Sequence, residues 1–455
     1  MKQRPRLGIL FSLSCVAALS AVGACGPDLG DGGIEGCDVA KQLGCAGGTV
    51  CEEIEGGDPA CFEPVVLVGE LHDASTEKPI GDARVIAVDE AGLAISAATI
   101  TRVDGSYRLQ VPVTRDASGA PVSRLFKLRI EAEGYLPFPR APLDTPTFDT
   151  KAAVAPSFEI TDERASVGLI HLTDTGGDGT ITGRITSDDP RGTLVVVAGA
   201  TGMADLDGEY VVYNVKPGNL KVLAFKQGVN FDIGTANLLA SSSEEVDLAS
   251  NAQPTGVVSG IVSGATSPTS VILVLEDTFD PVTVRGEAPP GLRIEGVSTT
   301  FSVAGVPNGK YVVLPGFYDD GLVRDPNDAV GGTPLAKITV NGSNVALDMP
   351  LAVKQALDVV SPGANTIDTV AGTPKLLWEA DPSADAYHVE VFTMLGAPVW
   401  ETTGAFAPAD GKPATVDYAG PPLEHGGLYQ FRVTSTLTGA PLRRTEDLKG
   451  LFAYQ

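Results

Sequence analysis

The chain is poor in the residues that most chemistry uses. In 455 residues it has 4 His and 6 Cys, and only 6% of its residues are aromatic. Four scattered histidines leave little material for a zinc enzyme or a proton shuttle. The cations are outnumbered, with 32 Lys plus Arg against 57 Asp plus Glu, a formal charge of −25. A protein that neutralises phosphates needs the opposite balance, so nucleic acid is excluded as a partner. Glycine-rich phosphate loops, the G-x-S-x-G elbow and the H-x-x-E zinc motif are all missing. No segment sustains helical periodicity over ten residues, and no segment reaches the ~18 apolar residues of a membrane-spanning helix. The expectation is an all-β, non-enzymatic protein without a cofactor.

What is present begins at the N-terminus. Lys2, Arg4 and Arg6 precede an apolar stretch, residues 7–22, that ends in Val22-Gly23-Ala24-Cys25. A basic start, a short apolar stretch and small residues describe a secretory signal peptide. The last four residues resemble the bacterial lipobox. That resemblance implies cleavage before Cys25 and lipidation of its thiol, with the membrane as partner through the acyl chains. It further implies an exported protein held at the outer membrane or cell surface of a Gram-negative-type bacterium. Loss of residues 1–24 leaves 29 cations against 57 acids, or −28.

After a Gly- and Asp-rich tether at 25–36, four cysteines cluster. Cys37, Cys45, Cys51 and Cys61 are spaced by eight, six and ten residues, and no cysteine follows. In an exported chain they predict two disulfides stapling a segment too small for its own core, with three connectivities open. The segment contains no His and no Cys-x-x-Cys, which argues against zinc.

From residue 65 onward, short β runs alternate with turn residues in an order that recurs three times. Each copy opens on a strand with a central glycine: Gly69, Gly183 and Gly260. Each carries a turn followed by a tyrosine: Asp104-Gly105 then Tyr107, Asp207-Gly208 then Tyr210, and Asn308-Gly309 then Tyr311. Asp-Gly and Asn-Gly supply the positive φ of a tight hairpin. The first copy, with Gly69 to Asp73, Gly81 to Val85, Val103 to Tyr107 and Gly134-Tyr135, resembles the carboxypeptidase regulatory-like domain, a prealbumin-like β-sandwich. The second copy lacks the final Gly-Tyr and the third is the most diverged. The resemblance implies a structural or binding module.

The last segment holds Trp378 and Trp400, with Ala-x-x-Tyr-x-Val-x-Val at 384–391 and a Tyr429 strand. It resembles a fibronectin type III module, which implies that Trp378 and Tyr429 are core residues. The expected organisation is a signal peptide at 1–24, tether at 25–36 and Cys-rich module at 37–63. Sandwiches follow at 64–172, 173–250, 251–353 and 354–455. Residues 136–165 read as a loop and 241–256 as a linker.

Ligand candidates are few. Asp174 with Asp178, and Asp205 with Asp207, place oxygens beside Gly turns and could hold calcium, but neither pair reproduces the twelve-residue calcium loop, so turn chemistry is preferred. Trp400 is the one candidate platform for stacking a sugar ring. The favoured function is a lipid-anchored rod with a structural, adhesion or protein-docking role and a surface protein or glycan as partner. Two alternatives remain: a carbohydrate- or polymer-binding surface lipoprotein, and an accessory subunit of an exported enzyme or secretion complex.

Overall fold

The computed structural model of the chain describes residues 36–139, 146–172, 177–279, 286–315, 322–324, 335–393, 397–406, 412–446 and 449–455. The signal peptide, Cys25 and Asp174 lie outside the described residues. Among the described residues the protein is all-β: strands form tandem sandwich modules behind a small disulfide-bonded segment, and the two helical turns are 3-10 turns, Thr150–Ala152 and Glu276–Thr278. Among the described residues, no helix is long and apolar enough to cross a membrane.

In the small segment, Cys37 pairs with Cys51 and Cys45 with Cys61. Its hairpin, Val50–Ile54 with Ala60–Phe62, also pairs in parallel with Thr114–Arg115 of the first sandwich. Arg115 is fully buried at this seam. It bonds the Glu52 carboxylate, donates to Glu63 O at 2.7 Å, and lies between the Phe62 and Phe158 rings, 4.8 and 4.5 Å from their centroids. The disulfide segment is thus docked on the first sandwich as well as cross-linked internally.

The first sandwich stacks Glu159–Leu169, Val66–Asp73 and Ser106–Gln110 on a sheet of Thr99–Ile100, Arg84–Val88, Leu125–Glu131 and Phe148–Asp149. Leu67, Leu71, Tyr107 and Leu109 from one sheet meet Val85, Ala87, Phe126, Leu128 and Ile130 from the other. The second and third modules repeat this plan. The opening strand of each (Gly179–Thr186 and Gly256–Ser263) pairs antiparallel with one neighbour and parallel with late strands of its own module. In the first module the parallel partner is Glu159–Leu169, so the expected loop at 136–165 gives way to a strand from Glu159. The expected linker at 241–256 likewise contains two parallel partners, Ser243–Glu245 and Leu248–Asn251. Both stretches are polar because their strands are half-exposed, and in the first a register shift between Thr161 and Ser166 masks the two-residue alternation.

The repeat signature has a steric basis. Gly69 lies opposite Tyr107, Gly183 opposite Tyr210 and Gly260 opposite Phe301. A Cβ on Gly69 would sit 2.4 Å from the Tyr107 hydroxyl oxygen, and one on Gly183 would sit 3.0 Å from that of Tyr210. The bare backbone lets each tyrosine cross the strand and donate to the carbonyl of Ala165 or Val246. Gly105 and Gly208 hold φ of +78° and +82°, as an Asp-Gly turn requires. The third copy departs from the expected alignment. Phe301 occupies the cross-strand place, and Tyr311 lies one strand later, in Gly309–Pro315, donating to Pro307 O at 2.9 Å.

The fourth module sets Val359–Ser361, Lys375–Trp378 and Ala414–Asp417 against a sheet in which Leu428–Leu437 and Ala386–Thr393 are central and Pro398–Gly404 is an edge. Trp378 is fully buried and meets Tyr387 and Phe406 edge-on, with ring centroids 5.3 and 5.9 Å apart. The Tyr429 hydroxyl oxygen accepts the Glu424 amide at 2.9 Å, the geometry of a tyrosine corner.

Candidate functional site: the inter-module ion network

A strand with one solvated face alternates buried and exposed residues. Arg84–Val88 does not: all five of its residues are buried. Its second face packs on another module, where Ile86, Val88 and Ala94 join Met203. On this outer face of the first sandwich, Arg84 lies directly opposite Glu131 and Ile86 opposite Arg129. A buried guanidinium or carboxylate is tolerated only when its bonds are completed, and partners from two further modules complete them.

Arg84 donates to Met203 O and Glu209 O, each at 2.6 Å, and pairs with Asp205 at 3.1 Å and Glu131 at 3.4 Å. Glu131 accepts from Arg129 Nε at 3.0 Å and from the Met203 amide at 2.9 Å. Arg129 reaches the third module through Glu287, at 3.0 Å. Five charges, Arg84, Arg129, Glu131, Asp205 and Glu287, thereby link three modules, and none is more than 7% exposed. Burial opposes the Arg129 charge, but the Glu287 and Glu131 carboxylates outweigh it and raise its pKa. Asn214 adds a neutral clasp, accepting the Gly134 amide at 2.6 Å and donating to Tyr135 O at 3.1 Å.

The network borders a cleft of about 230 Å³ at the junction, lined by Tyr135, Tyr213, Asn214, Thr201, Thr278 and Glu287 among others. Both of its carboxylates, Glu131 and Glu287, are already bonded to Arg129. The arrangement fixes modules relative to one another, since its charges are matched in place.

The structure disperses the ligand candidates read from the sequence. Both oxygens of Asp205 are committed: Oδ2 to Arg84 and the Ala98 amide, Oδ1 to the amides of Asp207 and Glu209. It is a junction residue with no oxygen open for calcium. Asp207 is an exposed residue, and partial desolvation of its carboxyl, with the charges of Asp205 and Glu209, raises its pKa. Asp178 accepts the Ser241 amide and hydroxyl, which lower its pKa. Trp400 is half-buried, packed on the fourth core with Tyr418 edge-on at 5.1 Å. Sequence reading missed Arg84, Arg129, Glu131 and Glu287. The available signal was charge inside otherwise apolar strand runs, RVIAV and LFKLRIE.

No family model and no curated protein matches the sequence. Similar solved structures include the Bacillus anthracis TIE protein, at 9% identity over 91% of this chain and 75% of that one, with a TM-score of 0.16. They also include a streptococcal ancillary pilin, at 13% identity over 64% of this chain and 98% of that one, TM-score 0.16. BcpA, the major pilin subunit of Bacillus cereus, is 11% identical over 64% of this chain and 99% of that one, TM-score 0.16. Fold and junction together define the chain as a multi-module β-sandwich protein whose first three sandwiches are joined by a buried ion network.

Proposed function

We propose that this chain is a non-enzymatic lipoprotein anchored through Cys25 to the outer membrane or cell surface. Its sandwich modules form a stiff arm with a structural, adhesion or protein-docking role. The observation that carries this reading is the buried ion network. A catalytic site places polar groups where a substrate can reach them, whereas here five charges are used to set the angles between modules. A stiff spacer needs that property. The disulfide segment docked on the first sandwich supports the same reading, because it extends the fixed structure towards the tether. The paired parallel and antiparallel neighbours of each opening strand support the carboxypeptidase regulatory-like assignment, and the Trp378 core with its tyrosine corner supports the fibronectin type III one.

Expression of the full chain and of Cys25→Ser in a Gram-negative host, with labelled fatty acid, tests the anchor. The parent chain should carry label and fractionate with membranes, and Cys25→Ser should be unlabelled and released. Equal labelling of both would refute lipidation at Cys25. Crosslinking on intact cells then tests the docking role: a discrete surface partner is expected, and its absence from repeated captures would count against docking.

A further inference from the structure

The outer face of the fourth module carries a three-ligand cluster that spacing alone does not reveal. His388 and Glu390 are two residues apart on Ala386–Thr393, so they share a face. The hairpin register sets Glu390 opposite Glu401 and His388 opposite Thr403 on Pro398–Gly404. His388 Nε2 lies 3.6 Å from Glu390 Oε1 and 3.7 Å from Glu401 Oε2, and the three ligand atoms all fall within 4.8 Å of one another.

Three features of this cluster point to a cation. Like charges placed directly opposite one another destabilise a strand pair, and a cation held between Glu390 and Glu401 relieves that repulsion. The imidazole is oriented: Nδ1 lies 3.0 Å from Thr403 Oγ1. With the hydroxyl accepting the Nδ1 proton, the Nε2 lone pair is left pointing at the carboxylates, the second-sphere arrangement that fixes a metal-binding histidine. Finally, the spacing fits. Ligands about 2.1 Å from a tetrahedral ion stand about 3.4 Å apart, close to the two distances from His388 to the carboxylates.

We propose that His388, Glu390 and Glu401 form a surface site for one divalent cation of the zinc class, with its remaining position open to water or to a side chain of a partner. One nitrogen and two carboxylate oxygens suit zinc better than calcium, which takes six to eight oxygens. With a neutral imidazole the ligands carry two negative charges, which a divalent ion balances. On the other side of Glu390 the adjoining strand sets Arg432 opposite it, and the Arg432 guanidinium lies over the Phe392 ring, 5.3 Å from the centroid. Glu401 is 74% exposed along its side chain, so an ion reaches the site from solvent.

The test is metal titration of the purified full chain after chelator treatment, using Zn²⁺ alone, Ca²⁺ alone, and Co²⁺ for its visible spectrum. One equivalent of Zn²⁺ is expected, with a raised melting temperature and a Co²⁺ spectrum of a four-coordinate N/O site. His388→Ala and Glu401→Gln should each abolish binding, and Thr403→Val should weaken it by about tenfold or more. The variants lie on an exposed face, and an unchanged metal-free melting temperature establishes that they fold. Absence of Zn²⁺ uptake, equal uptake by His388→Ala, or Ca²⁺ binding as tight as Zn²⁺ would each overturn the proposal.

Discussion

Arg84 and Asp205 belong to different sandwiches, yet their charged groups meet 3.1 Å apart with both side chains almost wholly buried. Removing one partner from such a pair leaves an uncompensated buried charge, which costs about 3–5 kcal/mol. Asp205→Ala should therefore lower the denaturation midpoint strongly. Arg84→Met combined with Asp205→Leu should cost less than the sum of the single changes. A double-mutant cycle with coupling near zero would show that the pair does not lock the modules.

The glycines opposite the cross-strand aromatics should rank by what an added methyl meets. In Gly183→Ala the Cβ would fall 2.1 Å from Val246 O, and in Gly69→Ala 2.3 Å from Ala165 O, both backbone atoms. In Gly260→Ala the nearest atoms belong to the side chains of Phe301 and Leu347, at 2.8 Å or more. The first two changes should destabilise by the upper part of the ~1–3 kcal/mol range for overpacking, and the third by less. Thermal melts of the three variants would check this order, and the largest loss in Gly260→Ala would contradict it.

Acid should weaken the second module through Asp189. Its bonds to Arg191 at 2.7 Å, and to Lys226 at 2.9 Å, hold its carboxyl far below the ordinary value of 3.8. A depressed folded pKa contributes stability that is fully present above the unfolded value and is lost as pH falls through the folded one. The melting temperature should thus fall below about pH 4, and Asp189→Asn should flatten that limb. An acid limb of unchanged slope in the variant would remove Asp189 as its cause.

Peptide mapping under non-reducing conditions should recover Cys37 linked to Cys51 and Cys45 to Cys61. Each closes a loop of 14 or 16 residues, worth about 3 kcal/mol in chain entropy. Reduction should loosen this segment first and leave the three later sandwiches folded, since the described disulfides all lie ahead of them. Recovery of a Cys37–Cys45 peptide would rule out the pairing.

How far the sequence could be read depended on whether a residue's partner lay in its own module. Strands with a solvated face alternate, and the Asp-Gly turns before Tyr107 and Tyr210 announce their hairpins. The opposing glycines, Gly69 and Gly183, are visible as repeats, although their reason is the ring that crosses them. Tyr311 misled because the third copy places Phe301 in that role, and a motif match does not report register. Arg84 and Arg129 were opaque because their counter-charges, Asp205 and Glu287, lie over a hundred residues away on other sandwiches. His388 and Glu401 were opaque because only the hairpin pairing brings them together.

The core of the third sandwich contains Leu194, Val196 and Phe225, which the chain order assigns to the second. These two repeats therefore share their oil, and neither is a portable part. A chain cut between them would carry a naked aromatic and aliphatic patch. Duplication, loss or exchange of the two by recombination should be inherited as a pair, with the first sandwich riveted to them from outside.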